Sequence, residues 1–179
     1  MSAVATATAA CVSSDEPMLS IDALRVSYGS REVVSGASLT IYKGETFGLV
    51  GLNGAGKTTI IKTVLGLRQP QGGCIKILGR DALGGQGREH VAFLPERFDP
   101  PTFLKGIEFL RFSLKLNSKT ITDDEARTAA QSFALDPDAL FRRIGTYSKG
   151  MRQKLGLMAT LLTNSDLTIL DEPMSGLDP

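Results

Sequence analysis

The sequence predicts an α/β fold: a mainly parallel sheet, an antiparallel β region at its N-terminal side and a helical subdomain inserted before the last strand. Three observations carry this. A short apolar run, Thr46 to Val50, opens into a glycine-rich loop and then a helical pattern, as where a strand buried on both faces feeds a helix. Apolar-rich segments flank the Gly29-Ser30 turn, as in an antiparallel pair. After Pro100-Pro101 the pattern becomes helical, and Leu167 to Leu170 then restores strand character.

Taken in order, residues 1–17 read as a disordered tail: Met1 to Ser14 is charge-free but has neither the basic start nor the apolar centre of a signal peptide. The domain proper runs over 18–179. Leu19, Ile21, Leu24 and Val26 mark a first strand and Val33 to Ile41 a second, before Lys43-Gly44 turns the chain into Thr46 to Val50. A helix is expected from Lys57 to Leu65, with Gly66 as its C-terminal cap. Ile75 to Leu78 and Val91 to Leu94 are two further strands, separated by the Gly84 to Gly87 stretch.

The helical subdomain is expected over about 101–162. Phe103, Ile107, Leu110 and Leu114 recur as on one helical face. Thr122 and Glu125 form a capping box for a helix running to Leu135, and Pro137 marks the next interruption. A third helix from about Lys149 to Leu162 carries Met151, Leu155, Met158 and Leu162 on one side.

Composition narrows the function. The chain has 179 residues, enough for one domain with a sizeable core, and 42% hydrophobic with 22% charged residues excludes a disordered chain, a collagen and a membrane channel. Lys and Arg total 20 against 19 acids, so the net charge of +1 gives no reason to expect nucleic acid, and any anion binding must be local. Cys11 and Cys74 lack CxxC or His-rich spacing, which argues against a disulfide framework or structural zinc and fits a reducing cytosol. No run approaches the roughly 18–20 apolar residues that span a bilayer, so a membrane role would come through a partner chain.

Gly51 to Thr58 satisfies G-x-x-x-x-G-K-[ST], the Walker A pattern of P-loop NTPases. Its glycines let backbone N–H groups converge on phosphate oxygens at a helix N-terminus. The candidate nucleotide-binding residues are Gly51, Asn53, Gly54, Ala55, Gly56, Lys57, Thr58 and Thr59. Lys57 reaches the β- and γ-phosphates, and the Thr58 hydroxyl is a hard oxygen ligand for Mg2+. A plain glycine-rich turn is the competing reading, and the flanking strand and helix patterns weigh against it. Leu167 to Glu172 has the form of a Walker B strand: side chains diverge at its end, so Asp171 can face the metal while Glu172 faces the attacking water as general base. A solvated acidic turn before Pro173 is the alternative for an isolated pair of acids.

With these motifs in order, residues 18–179 resemble the nucleotide-binding domain of ATP-binding cassette (ABC) proteins. Tyr28 lies where that family places an aromatic residue that stacks on adenine, the alternative being an edge-strand surface residue. Phe93-Leu94-Pro95-Glu96 resembles the loop joining sheet and helical subdomain, with Glu96 where most members carry Gln. Glu96 is open between a direct Mg2+ ligand and a surface acid in a mobile loop. Tyr147 to Gln153 is similar to the signature motif, a variant of Leu-Ser-Gly-Gly-Gln that keeps Ser148 and Gly150 and departs at Lys149 and Met151. Ser175-Gly176-Leu177-Asp178 resembles the loop that crosses the family's dimer interface.

The resemblance implies two domains packed head to tail, so that Ser148, Lys149, Gly150, Met151 and Gln153 of one close over ATP held by the other, with Asp178 in the dimer loop. It further implies ATP and Mg2+ as ligands, ATP hydrolysis, a separate transmembrane permease docked near the segment 101–145, and a place on the cytoplasmic face of the membrane. Leu-Pro-Glu with Ser-Lys-Gly-Met-Arg-Gln is most similar to ATPase subunits of bacterial exporters. In the family another strand comes after the Asp178 loop and carries a His that contacts the γ-phosphate. The sole histidine, His90, lies upstream of the sheet-to-helix loop, so the resemblance implies a domain whose C-terminal part is missing. Two alternatives stand beside the exporter subunit: an ATP-binding fragment or interaction module without efficient turnover, and a soluble ABC ATPase outside transport. A GTPase is disfavoured because no Asn-Lys-x-Asp stands after the loop.

Overall fold

The computed structural model describes residues 16–52 and 54–174; the tail 1–15, Asn53 and the segment 175–179, with Asp178, lie outside them. The chain divides into two compact units between Val91 and Ala92.

The first unit contains β1 (Leu19–Tyr28), β2 (Arg31–Ile41), α1 (Lys57–Val64), β3 (Gly72–Ile77) and β4 (Arg80–Asp81). Its strands form one sheet in the order β2-β1-β3-β4, antiparallel at every pairing. β1 is central, and Leu19, Ile21, Leu24 and Val26 bury one face of it with Val34, Ile75 and Ile77. Strict alternation would put Leu24 on the wrong side of Ile21. The chain corrects this with a bulge at Ala23, whose φ of 46° inserts one extra residue and returns Leu24 and Val26 to the core face. The Ala23 N–H, removed from the regular ladder, donates to Ser38 Oγ at 2.9 Å. Opposite the bulge stands Gly73 at φ +90°, where a Cβ would lie 2.6 Å from the carbonyl oxygens of Asp22 and Ala23 and from the Leu24 Cα.

The segment Thr46 to Val50, expected as a strand buried on both faces, is not one. Residues 45–52 have no regular secondary structure, and Val50 and Leu52 are 72% and 81% exposed. A parallel strand is held by ladders and covered faces, and no strand among the described residues pairs with this segment. Its apolar composition alone cannot supply a partner.

In the second unit, β5 (Val91–Leu94), which enters it at Ala92, forms a two-stranded sheet with β6 (Leu167–Leu170). Between them lie α2 (Gly106–Lys115), α3 (Asp123–Ser132) and α4 (Lys149–Leu161). The class is the mixed α/β expected, with its antiparallel region at the N-terminal side. α2 starts later than the apolar spacing suggests: Phe103 precedes it and is 73% exposed. The Glu108 carboxylate accepts the Lys105 N–H at 2.8 Å, which makes Lys105 the cap and stops the helical face at Ile107. At α3 the expected capping box forms: Thr122 Oγ1 accepts the Glu125 N–H, and Glu125 returns a carboxylate to the Thr122 N–H. Leu110, Leu114, Ala126, Ala130, Leu155 and Met158 close the core of this unit, the alanines presenting little side-chain bulk at that face of α3.

The two glycines Gly73 and Gly44 separate steric from conformational cost. Both have positive φ, but a Cβ at Gly44 meets nothing within 4 Å. Gly44→Ala is expected to cost about 1–2 kcal/mol from left-handed backbone alone, and Gly73→Ala at least about 2 kcal/mol more because backbone of β1 must move. Urea unfolding of the two variants measures the difference; equal losses would show that the bulge relaxes freely.

Candidate functional site

The phosphate loop is built against β2. Gly56 is the N-terminal cap residue of α1, in left-handed conformation at φ 95°, ψ 2°. A Cβ on it would lie 3.1 Å from the Val33 carbonyl oxygen and 3.2 Å from Val34 Cγ2, so a bare backbone is what lets the helix start lie on the strand. Gly54, at φ 82°, supplies the second left-handed turn. Within the loop the Ala55 N–H donates to the Leu52 carbonyl at 3.0 Å, and the first helical bond runs from the Ile60 N–H to the Gly56 carbonyl at 2.9 Å. The N–H groups at 57–59 therefore precede the helical ladder. No side chain caps α1 and no acid sits in its first turn, so the positive end of the helix is undischarged by the chain's own side chains.

Lys57 arches back over this end. Its Nζ donates to the Gly51 carbonyl at 2.6 Å and the Leu52 carbonyl at 3.1 Å, which holds an ammonium beside the loop. The Thr58 side chain is exposed beside it, whereas Thr59 is buried. Gly51 and Ala55 complete the loop; Asn53 lies outside the described residues.

Tyr28 ends β1 beyond its last pair with β3, Arg25 with Gly72, so that only β2 runs beside it there. It pairs with Arg31, two residues along β2 from Val33, about 7 Å at strand rise. Tyr28 and the Gly56 contact therefore belong to neighbouring positions of one hairpin. The ring is 45% exposed, and the Arg68 guanidinium carbon lies 3.9 Å from its centroid.

The second unit carries the other candidates. Asp171 comes directly after β6, is 7% exposed, and its N–H donates to the Leu94 carbonyl at 2.9 Å, which ties the end of β6 to β5. Glu172 is exposed with a φ of 48°, an unusual backbone for a non-glycine residue that ends the strand and turns the chain into Pro173. Glu96 is exposed in the bend after β5. Ser148 caps α4, its Oγ accepting the Met151 N–H at 3.2 Å, with Ser148 and Lys149 exposed and Gly150 half-buried. Gln153 is turned inward: 4% exposed, it donates from Nε2 to the Pro173 carbonyl at 3.1 Å and so joins α4 to the turn after Glu172. Among the described residues no group of three or more His, Cys, Asp or Glu side chains could hold a metal ion by itself. The candidate donors Thr58 and Asp171 are hard oxygens of the kind Mg2+ takes beside phosphate and water.

Tyr147 is the residue of this region that the sequence leaves without a reason. It is 3% exposed and donates its hydroxyl to the Ala139 carbonyl at 2.6 Å, and a Cβ on Gly106 would come 2.3 Å from that oxygen. The phenol thereby fixes the chain immediately before the Ser148 cap. Arg68 also lies outside every motif, since a single cation in a loop carries no periodic signal.

Residues 34–175 match the family model described as ABC transporter. The chain belongs to that family, as an ATP-binding domain of it. It is 39% identical over 155 residues to an uncharacterized ABC transporter ATP-binding protein of Nostoc sp., covering 84% of this chain and 46% of that protein. It is 32% identical over 167 residues to a Nod factor export ATP-binding protein of Ralstonia nicotianae, covering 91% of this chain and 52% of that one. Among solved structures, a putative ABC transporter ATP-binding protein from Pyrococcus furiosus superposes with a TM-score of 0.80 at 30% identity, covering 89% of this chain and 78% of the other. The chain spans about half the length of the curated relatives it matches.

Burial pushes the Tyr147 phenol up to about 12, against an ordinary value of 10.0. The neutral phenol is what the fold holds, so its contribution is complete below about pH 10 and is lost as pH rises through about 12. Tyr147→Phe is expected to cost about 1–2 kcal/mol at neutral pH, because the Ala139 carbonyl loses its donor. The gap between the two proteins should narrow from about pH 10 to pH 12. Urea midpoints across that range measure it; a gap independent of pH would detach the phenol from the stability of this region.

Proposed function

We propose that this chain is the ATP-binding and hydrolysing part of an ABC-type exporter that pairs head to tail with a second such domain and drives a separate membrane permease. The observation that carries the reading is the loop at the start of α1: two left-handed glycines, an uncapped helix N-terminus and the Lys57 ammonium converge at one place. Such an arrangement favours a polyphosphate, because backbone dipole and side-chain charge act on the same oxygens. Tyr28, set along β2 from the loop, is the platform for the base.

In this reading Thr58 and Asp171 hold Mg2+ through oxygen, with Glu96 as a further acid near the sheet-to-helix bend. When bound, Mg2+ supplies positive charge to the phosphate oxygens. Lys57 neutralises the transferred phosphate, and Glu172 accepts the proton of the attacking water. Ser148, Lys149, Gly150 and Met151, at the start of α4, face the nucleotide of the opposing domain. Gln153, bonded to the Pro173 carbonyl, holds that helix to the turn that carries Glu172. Asp178 belongs to the crossing loop. Export is supported by the similarity to proteins named for it. Such a subunit works on the cytoplasmic face.

Two variants test the reading. Lys57→Ala is expected to weaken Mg-ATP binding by roughly 2 kcal/mol, the worth of a charge-assisted contact to phosphate; calorimetry on the chain decides, and unchanged affinity would remove Lys57 from the site. Glu172→Gln should keep that affinity while lowering turnover roughly 10²- to 10⁴-fold, measured with the partner domain and permease present. Near-normal hydrolysis would move the general base elsewhere.

A further inference from the structure

The loop between α1 and β3 is fastened to the end of β1 by side chains outside every motif above. Gln71 is bound twice: its N–H donates to the Arg25 carbonyl at 2.9 Å, and its Oε1 accepts the Ser27 N–H at 2.6 Å. Arg68 donates from Nη2 to the Ser27 carbonyl and lays its guanidinium over the Tyr28 ring, 3.9 Å from the centroid. Both backbone polar groups of Ser27, the residue before Tyr28, are therefore taken by this loop. One face of the ring is covered by a cation that is itself tied to the backbone, and 45% of Tyr28 remains exposed.

A tyrosine at a strand end has two side-chain torsions to lose when a flat ligand stacks on it. A guanidinium anchored to Ser27 and stacked on one face restrains those torsions beforehand and leaves the uncovered side to the ligand. Displacement of Arg68 by the base would break its bond to the Ser27 carbonyl as well as its contact with the ring. With a base bound, the layers run guanidinium, phenol ring, purine.

We infer that Arg68 is a positioning residue for the nucleotide base: it holds Tyr28 in stacking orientation and so adds to the affinity for a nucleoside triphosphate without adding to that for the phosphates. This rests on the reading of Tyr28 as the base platform. It also links the two ends of α1: Gly56 at its start meets the phosphates, and the loop after its C-terminus holds the ring that meets the base.

The test compares two ligands, Mg-ATP and Mg-tripolyphosphate, which share the phosphate chain and differ in the nucleoside. Dissociation constants are measured by calorimetry for the chain and for Tyr28→Ala, Arg68→Ala and Arg68→Lys. Arg68→Ala should weaken ATP about two- to fivefold and leave tripolyphosphate unchanged within error. Arg68→Lys should recover part of the loss, since it restores a cation without the planar fork. Equal weakening of both ligands, unchanged ATP affinity, or tighter ATP binding from a face set free would each overturn the proposal. Tyr28→Ala separates the premise: if it leaves the ratio of the two constants unchanged, the base platform lies elsewhere and the role of Arg68 falls with it. If Tyr28→Ala lowers ATP affinity selectively and Arg68→Ala does not, only the role of Arg68 falls.

Discussion

The approach of Gly56 to β2 is the contact on which the rest of the first unit depends. With the Val33 carbonyl 3.1 Å from where a Cβ would stand, the backbone of the phosphate loop lies closer to the strand than a side chain would comfortably allow. The left-handed turn at Gly56 then aims α1 so that its uncapped N-terminus and the Lys57 ammonium lie beside the loop. A helix start placed a methyl group further out would lose its footing on the hairpin that also carries Tyr28. The candidate phosphate loop and Tyr28 thus both lean on the β1–β2 hairpin: Gly56 lies against Val33 and Val34, and Tyr28 pairs with Arg31.

The other end of α1 is closed just as locally. Gly66 sits past the helix at φ 72°; its N–H donates to the Thr63 carbonyl and that of Leu67 to the Lys62 carbonyl, the paired bonds that end a helix on a left-handed residue. The Arg88 guanidinium lies directly where a Gly66 side chain would be, which sets a cation at the negative end of the helix. α1 is therefore stopped within eight residues and returned to β1, and its short length is what brings residues 68 and 71 level with the end of that strand.

In the second unit, buried polar bonds do what packing alone would not specify. Aliphatic contacts among α2, α3 and α4 hold the helices together but would tolerate small rotations. The Tyr147 hydroxyl on the Ala139 carbonyl fixes the chain at the entrance to α4, and Gln153 on the Pro173 carbonyl fixes the same helix to the turn after β6. Each donor belongs to a buried residue and is bonded to a backbone carbonyl, so each is costly to misplace. The positive φ of Glu172 lies one residue from that anchored carbonyl, which is where an unfavourable backbone angle can be sustained by its surroundings.

The local elements were legible in the sequence wherever the cause is local. The turn at Gly29-Ser30, the Gly66 cap, the Thr122–Glu125 box and the Ser148 start of α4 each arise from residues a few positions apart, because capping and turn chemistry are satisfied within one turn of chain. The loop with Lys57 was legible for the same reason, since its glycines and its lysine are consecutive. What tertiary structure decided is what needs a partner distant in sequence. An apolar run over 46–50 does not state whether a neighbouring strand exists to pair with it, and here Val50 stands exposed. Phe103 matched the helical spacing, but the cap formed two residues later, where the Glu108 carboxylate could reach a backbone N–H. The bulge at Ala23 answers to Gly73, 50 residues on, and the cation over Tyr28 comes from Arg68, 40 residues on; neither spacing has a period that a sequence could display. By itself the sequence determined which chemistry the chain carries, because phosphate recognition is written in contiguous backbone and charge, and only the folded chain decided what holds that chemistry in place, because those contacts are made across strands.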